Sequence, residues 1–114
     1  MVNAAFRVHK ALGPGLLESV YETCMIYELK KQGLKIEDQV ILPIVYETLK
    51  IDGGLRLNLL VEGSLIVELK AVEFLLPVHK AQLLSYLKLS NQRLGLLINF
   101  NVPIIKEGIK RVVL

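Results

Sequence analysis

Three polar residues in a segment otherwise rich in leucine and valine have side chains suited to phosphoryl chemistry: Asn58, Glu68 and Lys70. A carboxylate and a second oxygen donor on neighbouring strands can hold Mg²⁺, which prefers oxygen ligands and keeps several of its waters. A lysine two residues along the same strand would lie beside a metal-bound water. There it can orient that water, help to deprotonate it, or stabilise a pentacovalent phosphate.

The register of a predicted hairpin decides whether these residues meet. The apolar runs 55–61 and 65–72 predict two strands, joined by Glu62-Gly63-Ser64. A three-residue loop sets Asn58 opposite Glu68, whereas a two-residue loop would set Asn58 opposite an apolar residue and mix the two faces. We therefore predict the three-residue loop, which gathers Asn58, Glu68 and Lys70 into one polar cluster.

Side-chain alternation extends the same argument along the first of these strands. It predicts that Arg56 lies opposite Lys70 and shares a face with Asn58. The apolar residues expected on the other face are Leu55, Leu57, Leu59 and Val61. The alternative interpretation of the polar residues is a cross-strand ion pair on a solvated sheet face, since Glu-x-Lys is a common tripeptide.

Composition bounds the elements that must position this cluster. The chain has 114 residues, of which 53% are hydrophobic and 22% charged, so a disordered chain is excluded and one domain over 1–114 is expected. No apolar run approaches the ~18 residues of a membrane helix. The single cysteine, Cys24, excludes an intrachain disulfide and, with no signal peptide evident, predicts a cytoplasmic protein. The high apolar content of so short a chain suggests a homodimer.

Periodicity predicts an α/β fold, a central mixed β-sheet flanked by helices in the order α-α-β-β-β-α-β-β. The helices are expected over 2–12, about 16–32 and about 77–90, and the strands over 36–49, 55–61, 65–72, 94–100 and 109–114. The chain starts almost inside its first helix, so a longer natural N-terminus is expected.

Several segments resemble one known family. Gly15-Leu-Leu-Glu18-Ser-Val-Tyr21 resembles the motif that names the GxxExxY protein family, which is assigned to the PD-(D/E)xK nuclease-like superfamily. The resemblance continues through Val67-Glu-Leu-Lys-Ala-Val72 and covers nearly the whole chain in the right order. Gln82-x-x-x-Tyr86 resembles an element of RecB-like exonucleases. The resemblance implies a restriction-endonuclease-like core.

The resemblance also implies roles for individual residues at a Mg²⁺ or Mn²⁺ site. Glu68 would be a direct metal ligand, joined by the backbone carbonyl of Leu69, with Glu18 as an outer carboxylate. Asn58 stands where the family pattern has an aspartate, so the central ligand would be a neutral amide. Lys70 would be the catalytic lysine, and Glu68 and Glu18 belong to the same catalytic set.

Substrate contacts follow from the same resemblance. Gln82 and Tyr86 would position the nucleic-acid backbone, and Tyr21 of the GxxExxY motif is included among the substrate-binding residues. The expected function is Mg²⁺-dependent hydrolysis of phosphodiesters in DNA or RNA, weakened or lost because Asn58 replaces the aspartate. The alternative is a non-catalytic domain that binds nucleic acid or protein and retains the nuclease fold as a scaffold.

Overall fold

The computed structural model describes residues 1–114. The helices are α1 (Val2–Leu12), α2 (Glu18–Lys31), α3 (Pro77–Leu89) and the short α4 (Ile105–Gly108). The strands are β1 (Ile36–Tyr46), β2 (Leu49–Val61), β3 (Leu65–Lys70), β4 (Leu94–Asn99) and β5 (Ile109–Val113). The predicted order is confirmed, with α4 as one additional turn of helix before the last strand. No helix has the length and apolar character needed to cross a membrane.

One mixed sheet carries all five strands in the order β1-β2-β3-β4-β5. The strands β3 and β4 are parallel, joined through α3, and the other neighbouring pairs are antiparallel. The parallel pair needs a crossover connection, which is the role of the helix predicted between these strands. The mixed α/β sheet predicted from the sequence is therefore confirmed.

Helices cover both faces of the sheet and define two apolar cores. Tyr21, Met25 and Leu29 of α2 belong to the larger core, together with residues of α1 and one face of β3 and β4. Leu83 and Leu87 of α3 belong to the smaller core on the other face. In this way, α2 and α3 are held at fixed positions on opposite faces of the central strands.

The hairpin between β2 and β3 has the predicted three-residue loop. Val61 pairs with Leu65, and Leu59 pairs with Val67. The regular ladder stops at Leu59, however, and Arg56 pairs with Ile41 of β1. The predicted pairing of Arg56 with Lys70 is therefore wrong, because the two strands separate beyond Leu59.

The side chains of β2 change faces near Asn58. Leu59 and Val61 pack in the core of α1 and α2, whereas Leu55 and Leu57 pack in the core of α3. The prediction that these four residues share one face is wrong. The interruption lies where β1 is also irregular, since Gln39, between the residues that pair with Leu59 and Leu57, has a φ of 50°.

The hairpin of β1 and β2 is longer than predicted. The chain turns at Glu47 and Thr48, so residues 49–54 belong to β2 rather than to the end of β1 or a loop. The end of this hairpin exposes several large apolar side chains on its surface. They are Ile41, Val45, Tyr46, Leu49 and Ile51.

Candidate active site

A pocket of about 340 Å³ opens where β2 and β3 separate. Its walls come from α2, β1, β2, β3 and α3. The lining residues are Glu18, Gln39, Arg56, Asn58, Glu68, Lys70, Gln82 and Tyr86. The structure thus brings together six residues that the sequence singled out, and adds Gln39 and Arg56.

Asn58 and Glu68 connect the strands where the backbone ladder has ended. The backbone N–H of Asn58 donates to Oε1 of Glu68 at 3.2 Å. The backbone N–H of Leu69 donates to Oδ1 of Asn58 at 3.0 Å. Both side chains therefore satisfy backbone donors that the separated strands leave without a partner carbonyl. Asn58 has a structural role in addition to any role as a ligand.

Glu68 is the buried charge of the site, with 5% of its surface exposed. Burial raises its pKa from 4.5 to about 7, against the effects of the Asn58 N–H and the Lys70 ammonium, which lower it. The like charges of Glu18 and Glu22 raise the pKa of Glu68 further. A carboxyl group with this pKa is close to half protonated at neutral pH.

The helices contribute the remaining walls of the pocket. Glu18 is the first residue of α2. Gln82 and Tyr86 are one turn apart on α3, and Nε2 of Gln82 donates to the Tyr86 hydroxyl at 3.2 Å. Burial raises the pKa of Tyr86, and the neighbouring Glu68 carboxylate acts in the same direction. The phenol therefore remains a protonated donor over the neutral range.

A second pocket of about 440 Å³ adjoins the first along α3. The two share Lys70 and Gln82, and the second is also lined by His79 and Ser85. Together they form a depression beside Lys70 whose surface is mainly polar in the first pocket and mainly apolar in the second.

Tyr21 is not among the residues that line either pocket. Its ring is fully buried and stacks on Phe100 at a centroid distance of 4.5 Å. Its hydroxyl donates to the carbonyl of Gly13 at 2.7 Å and accepts from the N–H of Leu16 at 3.1 Å. Tyr21 thus fixes the turn before α2, and through it the start of the helix that carries Glu18.

Gln39 was missed by sequence reasoning, and Arg56 was placed on the same face as Asn58 but was given no functional role. The amide nitrogen of Gln39 donates to both carboxylate oxygens of Glu22, at 2.8 and 3.0 Å, and its carbonyl accepts from Nε of Arg56. No motif in the sequence marks either residue. Their approach depends on a β1 irregularity and on the packing of α2 against β1, and neither leaves a local pattern.

The donor set of the pocket is compatible with a hard divalent cation. Glu68 and Glu18 provide carboxylates, and Asn58 provides an amide oxygen, all of which are oxygen donors of the type that Mg²⁺ and Mn²⁺ accept. No group of three or more His, Cys, Asp or Glu side chains is placed to hold a metal. Burial raises the pKa of Glu68 despite the opposing effect of Lys70, and a bound cation would stabilise the ionised carboxylate.

A mixed sheet between helices, with Glu68 and Lys70 on its central strand, defines a nuclease-like α/β domain. The chain belongs to the PD-(D/E)XK nuclease superfamily, since the model of that family matches residues 1–112. The superfamily predicted from the sequence is confirmed, and the GxxExxY subgroup stays a prediction. Comparisons with curated proteins and with solved structures found no significant match.

Proposed function

We propose that the domain hydrolyses phosphodiester bonds in DNA or RNA with the help of Mg²⁺ or Mn²⁺, at a rate reduced by Asn58. The observation that carries the proposal is the convergence of Glu68 and Lys70 from β3, Asn58 from β2 and Gln82 from α3 on one open pocket. An isolated ion pair on a solvated sheet face would not have a carboxylate that is 5% exposed.

Four groups would hold the cation: the side chains of Glu68, Asn58 and Glu18, and the backbone carbonyl of Leu69. When bound, the cation supplies positive charge to the phosphate and lowers the pKa of a coordinated water. Lys70 lies close enough to Glu68 to lower its pKa, so its ammonium is available to orient the attacking water or to neutralise a phosphate oxygen.

The substrate groove follows α3. Gln82 and Tyr86 present an amide and a hydroxyl beside Lys70, and both can donate to phosphate oxygens. The second pocket continues past His79 and Ser85, which gives a nucleic-acid strand room on one side of the reacting phosphate. The polar groups around Lys70, together with the superfamily, support the proposal of a nucleic-acid partner.

Asn58 lowers the expected activity for two reasons. An amide is a neutral ligand, so the cation has one anionic donor fewer than with an aspartate at this position. Its Oδ1 also already accepts a hydrogen bond from the N–H of Leu69, so this oxygen has one lone pair fewer for a metal.

The pH should also affect metal binding. A proton competes with the cation for Glu68 near pH 7, so metal binding should strengthen as the pH rises.

The test is cleavage of labelled DNA and RNA in Mn²⁺ by the wild type and Asn58→Asp. Cleavage that rises in Asn58→Asp and disappears in Asn58→Asp/Lys70→Ala and Asn58→Asp/Glu68→Ala supports the proposal. Cleavage that is unchanged by Lys70→Ala would overturn it, since the activity would then come from elsewhere or from a contaminant.

A non-catalytic nucleic-acid-binding or protein-binding domain is the second candidate. The specific observation in its favour is that the side chains of Asn58 and Glu68 already accept hydrogen bonds from backbone N–H groups of the neighbouring strand. Tight binding of nucleic acid with no cleavage in either the wild type or Asn58→Asp, although the variant binds Mn²⁺, would favour this second candidate.

We also propose that the chain forms a homodimer through the exposed apolar residues of the β1–β2 hairpin. Tyr46 and Ile41 are 66% and 64% exposed, and burial of such side chains favours association. The cytoplasmic location stays a prediction.

A further inference from the structure

Arg56 is an unpaired cation at the mouth of the pocket. It lies on β2 where that strand pairs with β1, whereas Lys70 lies on β3 where that strand pairs with β4. The two ion pairs of the chain, Lys31–Glu28 and Lys50–Asp52, do not include it. Its guanidinium therefore forms no direct ion pair with a carboxylate, and Glu22 is connected to it only through Gln39.

A two-step hydrogen-bond relay holds the Arg56 side chain. Glu22 accepts both bonds from the amide nitrogen of Gln39. Because a carboxylate only accepts, this fixes the amide orientation and turns the Gln39 carbonyl toward Arg56. That carbonyl accepts from Nε, the donor nearest the stem of the arginine. The terminal N–H groups of Arg56 remain without a protein acceptor.

This arrangement suits a phosphate. A guanidinium anchored at Nε still presents its terminal N–H donors as a planar fork, which matches two phosphate oxygens. The anchor also reduces the rotamer entropy that an exposed arginine would lose on binding. The relay reaches Arg56 across two strands and a helix, and Gln39 adopts a φ of 50° to complete it. A glutamine in that conformation is costly for a residue with no role.

We propose that Arg56, positioned by Gln39 and Glu22, binds a second backbone phosphate next to the one handled by Glu68 and Lys70. The inference rests on the proposed function and refines it: the substrate is a polynucleotide that contributes at least two phosphates to the pocket. Arg56 contacts the substrate, and Gln39 and Glu22 are positioning residues.

The experiment measures binding of short labelled DNA and RNA oligonucleotides in Ca²⁺ across a salt series. Arg56→Gln is expected to weaken binding about tenfold and to reduce the salt slope by about one phosphate contact. Arg56→Lys should restore the slope but only part of the affinity, because it retains the charge without the fork. Gln39→Leu should weaken binding a few-fold and leave the slope unchanged, because the charge stays and its anchor is lost.

Arg111→Gln is the matched control, since Arg111 is an exposed arginine on β5 that is not in the pocket. Thermal melting of each variant verifies the fold. If the wild type binds and Arg56→Gln binds equally well with an unchanged slope, the role of Arg56 is refuted and the proposed function stands. An equal loss in Arg111→Gln also refutes it. If the wild type binds no oligonucleotide at all, both proposals fail.

Discussion

Replacing Asn58 with aspartate tests the site through a pH-dependent change in stability. The new side chain would keep an oxygen for the Leu69 N–H but would add a negative charge beside Glu68. The Asn58 N–H already donates to the Glu68 carboxylate at 3.2 Å, so ionised carboxylates at both positions would lie roughly 5 Å apart and repel by about 3 kcal/mol at an effective dielectric constant of about 20.

Protonation of Glu68 removes this repulsion, and the free energy that protonation requires increases with pH. Since its pKa is already about 7, proton uptake limits the destabilisation by Asn58→Asp to about 0.4 kcal/mol at pH 7. At pH 9 the same proton is harder to bind, and the destabilisation grows to about 2.5 kcal/mol. For a chain of this size, the added 2 kcal/mol or so lowers the Tm by roughly 10 °C.

The assay is thermal and urea unfolding of the wild type and Asn58→Asp in EDTA at pH 7 and pH 9, with Asn91→Asp as an exposed control that adds the same charge. Calorimetry with Mn²⁺ should then show at least about tenfold tighter binding by Asn58→Asp, because the cation gains an anionic ligand. Equal destabilisation at both pH values would refute the charge coupling between positions 58 and 68. Unchanged Mn²⁺ affinity would refute a cation site in this pocket.

Three further outcomes are expected. Because the pKa of Glu68 in the folded state lies above its ordinary 4.5, the folded protein binds more protons than the unfolded chain up to about pH 7, and stability falls as the pH rises through that window. In urea unfolding without metal, the free energy of unfolding of Glu68→Gln should therefore match that of the wild type at pH 4 and exceed it by about 3 kcal/mol at pH 8. A difference that does not depend on pH would contradict this. Tyr21→Phe should lower the free energy of unfolding by about 1–2 kcal/mol in the same measurement, because the Gly13 carbonyl and the Leu16 N–H lose their shared partner, and an unchanged free energy of unfolding would contradict this. Sedimentation equilibrium at micromolar concentration should show a dimer, and only a 12.8 kDa species would refute the homodimer.

Local patterns in the sequence were sufficient to predict the order of the helices and strands and the register of one strand pair, β2 with β3. The three-residue loop after Val61 follows from the requirement that polar and apolar faces match, and this set the β2–β3 pairing correctly. The hydrogen bond from the Asn58 N–H to Glu68 agrees with that register, although the regular ladder itself ends at Leu59. The positions of Gln82 and Tyr86 relative to each other required only the helical repeat.

Alternation failed where the strand is irregular. Leu55 and Leu57 pack on the opposite face from Leu59 because β2 changes faces near Asn58, and the period-two rule assumes a continuous strand. The hydrogen bonds that compensate the interruption come from the side chains of Asn58 and Glu68. The residues suited to metal chemistry are thus also those that break the regular ladder.

Contacts between elements that are distant along the chain also could not be predicted from local sequence patterns. Gln39 reaches Glu22 on α2 and Arg56 on β2, in each case seventeen residues away along the chain. Tyr21 belongs to the same motif as Glu18, yet only the packing shows that its ring is in the core and its hydroxyl is bound to a turn. Motif membership could not separate a residue that lines the pocket from one that supports it.

Anomalous scattering from crystals soaked in Mn²⁺ would show directly whether Glu68 and its neighbours hold a divalent cation. We expect a single strong anomalous peak against the Glu68 carboxylate in Asn58→Asp, a weaker one at the same place in the wild type, and none in Glu68→Ala. A pocket that is free of anomalous density in Asn58→Asp at saturating Mn²⁺ and pH 8 would contradict this expectation.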